Sequence, residues 1–225
     1  MIVTEDEVRR IYRKRFPAEE LAAKRRVWEV IVKHYFNRWI RPSDTVLDLG
    51  CGYGEFLNYV HAAERIGFDL NPDSPSHLDH GVKFFQKSVC DLSFIADNSV
   101  DLVFTSNLME HLPGKREVEQ MAREARRVLR PGGCFVMLGP NIRFLPGKYW
   151  DFWDHVVPIS DRSLQEMLIN QEFEIVDLYP RFLPYTTRSW VPKHPVLIRA
   201  YLNFPPIWQI MGRQFLVRAR KPIAG

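Results

Sequence analysis

Val46-Leu47-Asp48-Leu49-Gly50-Cys51-Gly52-Tyr53-Gly54-Glu55-Phe56 is the stretch that decides the fold. A short apolar run ends in glycines at 50, 52 and 54, and residues 55–61 can open a helix. Glycine lets a backbone turn sharply and approach a ligand closely, so the stretch reads as a strand, a binding loop and a helix start. The third glycine comes one residue earlier than in the dinucleotide pattern G-x-G-x-x-G, whose last position falls on Glu55. Asp48 can accept hydrogen bonds from an ammonium group or from loop amides. A pyrophosphate-binding loop has no use for that extra negative charge.

Downstream the period of two continues. Arg65-Ile66-Gly67-Phe68-Asp69 reads as a second strand, Val82-Lys83-Phe84-Phe85-Gln86 as a third and Val100-Asp101-Leu102-Val103-Phe104-Thr105 as a fourth. Val118, Met121, Ala122, Ala125, Val128 and Leu129 mark an amphipathic helix that Pro131-Gly132-Gly133 ends, and Cys134-Phe135-Val136-Met137-Leu138 is a fifth strand. Ser160 and Asp161 can cap a helix running to Asn170, residues 173–179 alternate like a strand, and Gln214 to Arg220 forms the last one. Apolar strands alternating with helices indicate an α/β fold with a mostly parallel sheet covered on both faces. Asp69 ends the second strand 19 residues after Gly50, the place of the carboxylate that grips ribose hydroxyls. Asp91 follows the third strand at the same edge, within reach of an adenine amino group.

Upstream, Leu21, Trp28, Ile31, Val32, Tyr35, Phe36 and Trp39 share one face of a helix, which Arg41-Pro42-Ser43-Asp44 stops. Residues 1–44 are therefore expected to be a helical preface, and residues 45–225 one domain. Its 46% hydrophobic and 26% charged residues exclude a disordered chain, and no apolar run reaches the length of a membrane span. Cys51, Cys90 and Cys134 lack metal-site or disulfide spacing, no His/Asp cluster has ligand spacing, and no metal is expected. An acidic N-terminus unlike a signal peptide makes the expected location cytoplasmic. Residues 42–180 contain 12 Lys/Arg and 21 Asp/Glu, whereas residues 181–225 contain 8 and none. The basic end suggests an anionic partner: a phosphorylated substrate, a membrane surface or nucleic acid.

Over residues 45–179 the chain resembles class I S-adenosylmethionine-dependent methyltransferases. The match runs through Leu47-Asp48-Leu49-Gly50-Cys51-Gly52-Tyr53-Gly54, Phe68-Asp69, Asp91-Leu92, Ser99-Val100-Asp101-Leu102-Val103, Glu110-His111-Leu112 and Arg127-Val128-Leu129-Arg130-Pro131-Gly132-Gly133. The resemblance implies a single Rossmann-like domain with a seven-stranded, mostly parallel sheet whose last strand is antiparallel, and S-adenosylmethionine as cofactor. It places Asp48, Gly50, Cys51 and Gly52 at the methionine end, Asp69 and Leu70 at the ribose, Asp91 and Leu92 at the adenine, and Asn107 near the sulfonium. The pattern departs between strands two and three, where residues 71–80 are broken by proline. The segments Tyr149-Trp150-Asp151-Phe152-Trp153-Asp154-His155 and Arg181-Phe182-Leu183-Pro184-Tyr185 look like methyltransferases of bacterial glycan gene clusters.

Methyl transfer to a hydroxyl requires a base. His155 is the first candidate and His111 the second, although Asp154, adjacent to His155 in sequence, need not point toward it. Tyr149, Trp150, Phe152, Trp153, Tyr185 and Trp190 are candidates for stacking on a flat acceptor. Arg181, Arg188, Lys193, His194 and Arg199 are candidates for a phosphate. The aromatic and basic insertion at 180–213 is expected to hold a phosphorylated or lipid-linked acceptor, or to rest on a membrane surface. Nucleic acid is disfavoured, since Ser106-Asn107-Leu108-Met109 is no base pocket. Two other classes stay open, an NAD-dependent oxidoreductase and a non-catalytic nucleoside-binding module; oligomeric state is not legible.

Overall fold

The computed structural model describes residues 9–10, 17–185 and 194–223. Trp190, Arg188 and Lys193 therefore lie outside the described residues. Seven strands form one sheet: β1 (Thr45–Leu49), β2 (Glu64–Phe68), β3 (Val82–Phe85), β4 (Val100–Ser106), β5 (Leu129–Pro140), β6 (Glu174–Leu183) and β7 (Gln214–Arg220). Their spatial order is β3-β2-β1-β4-β5-β7-β6. β1 to β5 run parallel, and β7 lies antiparallel between β5 and β6. The order reverses between β1 and β4, which opens a crevice at their carboxyl ends where ligands of such folds bind.

Strand alternation divides the interior into two layers. On one face Leu47, Leu49, Val103, Phe135, Met137 and Val217 meet α2 (Lys115–Val128) and α3 (Asp161–Asn170). On the other, Val46, Leu102, Phe104, Val136, Leu138 and Leu216 meet α1 (Ala18–His34) and the short helices α4 (Pro195–Leu202) and α5 (Pro205–Met211). The N-terminal helix and the helices α4 and α5 thus cover the same face of the sheet. Phe104 is central there, stacked on Phe56 at 3.8 Å and edge-on to Phe36 at 5.2 Å.

Three expected boundaries shift. Residues 55–61 form successive turns and no regular helix. Gly54 has φ +79°, and the Asn58 side chain is drawn outward, donating to His77 O at 2.9 Å and accepting from Asp79 N at 2.9 Å. Pro131-Gly132-Gly133 lies inside β5, because Gly132 at φ +81° bends the strand while Gly132 N and Gly133 O both pair with Lys221 at 2.9 Å. The proline-broken connection after β2 is a 3-10 turn, Ser74–His77. The α3 cap is as expected: Ser160 accepts from Ser163 N in a capping box.

Phe104→Ala, which deletes a 1% exposed ring, is expected to cost about 3–5 kcal/mol in urea unfolding. Trp153→Ala, at a ring 97% exposed, is expected to stay within about 0.5 kcal/mol of the parent.

Candidate active site

The turn after β1 is held from two sides. Gly50 N and Cys51 N both donate to Phe68 O, at 2.8 and 3.0 Å, which folds the chain back across the end of β2. Gly50 sits at φ +77°, and a Cβ there would come 2.9 Å from Leu108 Cδ1 and 3.2 Å from Leu108 Cβ. A side chain at position 50 would thus meet both an unfavourable backbone region and a filled space. Asp69 supplies the second hold: one carboxylate oxygen accepts from Gly52 N at 2.7 Å and the other from Asn71 N at 2.8 Å.

Beneath the loop, negative charge is concentrated. Asp48, Glu55 and Asp69 are all buried. Burial, then Asp69, then Glu55 push the Asp48 carboxyl well above the usual carboxylate range. The Cys51 thiol is raised by burial and by the same three acids. Lys24 of α1 reaches Glu55 at 2.8 Å, and the neighbouring Arg25 reaches His77 Nδ1 at 2.9 Å. The first helix is therefore pinned to the loop's edge. Excess buried carboxylate beneath the loop suits a ligand that carries a positive charge.

The other expected cofactor residues divide. Asn107 lies at the end of β4 with φ +51°, its amide donating to Leu138 O at 2.9 Å and its side chain to Ser106 Oγ at 2.9 Å. Leu108 next to it packs on Gly50, so this turn and the glycine loop share the crevice. Leu70 follows Asp69 directly and is 47% exposed. Asp91 is exposed, accepts from Ser93 N at 3.1 Å, and is held below the usual carboxylate range by hydrogen bonds from Ser93. The Leu92 side chain instead lies in the α2 core layer, and its amide donates to Glu124 at 2.9 Å. Its apolar side chain is placed by core packing, which the sequence pattern could not separate from an adenine contact.

The two histidines, 44 positions apart in the chain, come together. Their rings are 4.7 Å apart and nearly perpendicular. His111 sits in the 3-10 turn Met109–His111 after β4, and His155 in the loop after β5. Asp154 pairs with His111, its carboxylate and its carbonyl oxygen each 3.1 Å from His111 Nδ1. The proton on Nδ1 is assigned from these two acceptors. His155 is stacked on Phe152 and flanked by Tyr149, each at 5.0 Å. Glu110, which sequence reasoning passed over, is buried with a carboxylate oxygen 3.9 Å from His111 Nε2. Its carbonyl accepts from Val156 N at 2.9 Å and Val157 N at 3.2 Å, clamping the two loops together.

Among the aromatic candidates, Tyr149 is core, its hydroxyl donating to Val157 O. Phe152 contacts Tyr185 as well as His155, and Trp150 and Trp153 are exposed. Arg181 donates to Gly212 O at 3.0 Å and Ile210 O at 2.9 Å. His194 and Arg199 are exposed on and beside α4.

Residues 47–137 match the family described as a methyltransferase domain. A protein of Mycolicibacterium smegmatis named "probable S-adenosylmethionine-dependent methyltransferase" is 33% identical over 139 residues, 59% of this chain and 52% of that one. A ubiquinone/menaquinone biosynthesis C-methyltransferase of Nitrobacter hamburgensis is 31% identical over 136 residues, 53% of this chain and 52% of its own. The chain spans about half the length of these curated relatives. A crystal structure of a SAM-dependent methyltransferase from Archaeoglobus fulgidus superposes with a TM-score of 0.66 at 18% identity, covering 94% of this chain and 98% of that chain. At that identity the likeness speaks to the fold alone. Residues 47–137 carry the methyltransferase-domain pattern, on the fold of S-adenosylmethionine-dependent methyltransferases.

Proposed function

We propose that this chain is a methyltransferase using S-adenosylmethionine, and that it methylates an oxygen of a small-molecule or glycan-type acceptor. The family match supports the first part. The observation that carries the second is the histidine pair in the loops after β4 and β5, with Asp154 orienting His111. A hydroxyl acceptor must lose its proton as the new bond forms, and such a cluster is what takes it.

When bound, S-adenosylmethionine supplies a methyl group on a cationic sulfur, already a good electrophile. The chain's own residues do the rest. Asp48 and the loop amides meet the methionine end, and Asp69 accepts from ribose hydroxyls. Asp91 stands at the adenine edge. The 107–111 turn presents the acceptor to the methyl group, its proton leaving toward the cluster of Glu110, His111 and His155. Orientation of the two reactants in a crevice shielded from water accounts for most of the rate.

The far end of the chain supports a reading of the acceptor's class. Val196, Leu197, Phe204 and Ile210 are exposed on and between α4 and α5, within a stretch that contains no acidic residue. Apolar side chains beside the exposed Arg199 suit an anionic lipid surface or a phosphorylated, lipid-linked acceptor. Among the described residues no helix is long and apolar enough to cross a membrane.

Transfer of labelled methyl from S-adenosylmethionine to glycan acceptors, free or lipid-linked in anionic vesicles, tests both parts. His111→Ala is expected to lower kcat about 10²–10⁴-fold with cofactor affinity retained; unchanged kcat contradicts the assigned role. Lipid-linked acceptors are expected to be used better than free ones, and the reverse preference removes the membrane reading.

The buried acid makes a further prediction for the protein without cofactor. Because the folded-state pKa of Asp48 is raised, its contribution to stability is complete below the ordinary carboxylate pKa of about 3.9. It is lost as pH rises through the raised value. Asp48→Asn is therefore expected to melt above the parent at neutral pH, by a margin that shrinks toward pH 4. The same variant is expected to bind the cofactor more weakly.

A further inference from the structure

We propose that Glu110, His111 and His155 form a binding site for one divalent first-row transition ion, at the acceptor side of the crevice. One donor atom from each of the three lies within 4.8 Å of the others. A tetrahedral ion with bonds of about 2.0–2.1 Å needs its donors about 3.4 Å apart, so closure takes about an ångström of side-chain rotation. The donor set is two imidazole nitrogens and one carboxylate oxygen. That set suits zinc, manganese or iron, and its nitrogens disfavour magnesium and calcium.

The surroundings resemble those of a ligand set held in advance. Histidines that bind metals donate their other ring N–H to a carboxylate or a carbonyl, which fixes the tautomer. His111 does both, through Nδ1 to Asp154 at 3.1 Å. Its Nε2 then carries the lone pair, and it is Nε2 that lies 3.9 Å from the Glu110 carboxylate. Phe152 and Tyr149 fix the plane of His155. Bonds from Val156 N and Val157 N to Glu110 O hold the loop that carries His155 against the turn that carries the other two. Glu110 and His155 are 2% and 6% exposed, so a charge at Glu110 gains strongly from a cation beside it. The spacing in the chain hides the set, because the third ligand arrives only when β5 returns past β4.

The site itself rests on this geometry; its use rests on the methyl-transfer reading. With an ion bound, these three side chains would be its ligands and would no longer take the proton; the ion would hold an acceptor oxygen and lower that oxygen's pKa, the proton passing to water.

The test is titration of chelator-stripped protein with Zn(II) and Mn(II) by calorimetry, and with Co(II) by visible absorption. One equivalent is expected to bind with a micromolar or tighter Kd. Asp154→Asn, which alters no ligand, is expected to weaken it about 10–100-fold, and Glu110→Gln at least as much. No saturable binding below millimolar metal overturns the site. So does binding that is unchanged in both variants. S-adenosylmethionine titration of the same samples reports folding, and it judges the methyltransferase reading separately.

Discussion

The reversal of the chain over the end of β1 is the constraint on which this molecule depends. Two amides, Gly50 N and Cys51 N, converge on Phe68 O, and Asp69 holds Gly52 N from the next strand. That arrangement requires glycine at 50, because Leu108 fills the space where a Cβ would stand. It also leaves Asp48 buried beside Asp69 and Glu55, a charge density that the sheet alone does not stabilise. Lys24 offsets part of it. A cationic ligand would offset more.

From that turn the remaining parts take their places. The β1/β4 reversal puts the glycine loop and the 107–111 turn on opposite walls of one crevice. The loop after β5 then closes over the second wall through the Glu110 carbonyl. The α1 helix covers the face of the sheet to which Asp48 points and is tied to the loop's rim, and Ile31, Val32, Tyr35 and Phe36 share a core with the sheet. The insertion between β6 and β7 covers the same face, with Trp208 buried and Ile210 exposed. A basic, partly apolar surface is thereby attached directly to the domain that holds the site.

Much of this was legible in the sequence because it is local. Short β-prone or apolar runs marked each of the seven strands, since a sheet covered on both faces needs apolar side chains toward both layers. The Gly50–Gly54 spacing and Asp69 marked the turn after β1. What was not legible depends on contacts between distant segments. Residues 55–61 have helical composition, but Asn58 bonds to the 77–79 turn and no helix forms. Leu92 reads as a binding residue until α2 is placed over it. Asp154 could not be assigned to His111 across a separation of 43 positions, and Glu110 had no visible partner until the loop after β5 was in place. For the same reason an expectation of no metal could be drawn from spacing while the folded chain collects three ligand-type side chains.

Calorimetric titration with S-adenosylmethionine, S-adenosylhomocysteine and NAD, on the parent and Asp69→Ala, tests the central claim most directly. The account predicts binding of both adenosyl ligands and not of NAD, weakened about tenfold to a hundredfold by loss of the charged acceptor. Binding of NAD alone would contradict it and place the chain among the oxidoreductases.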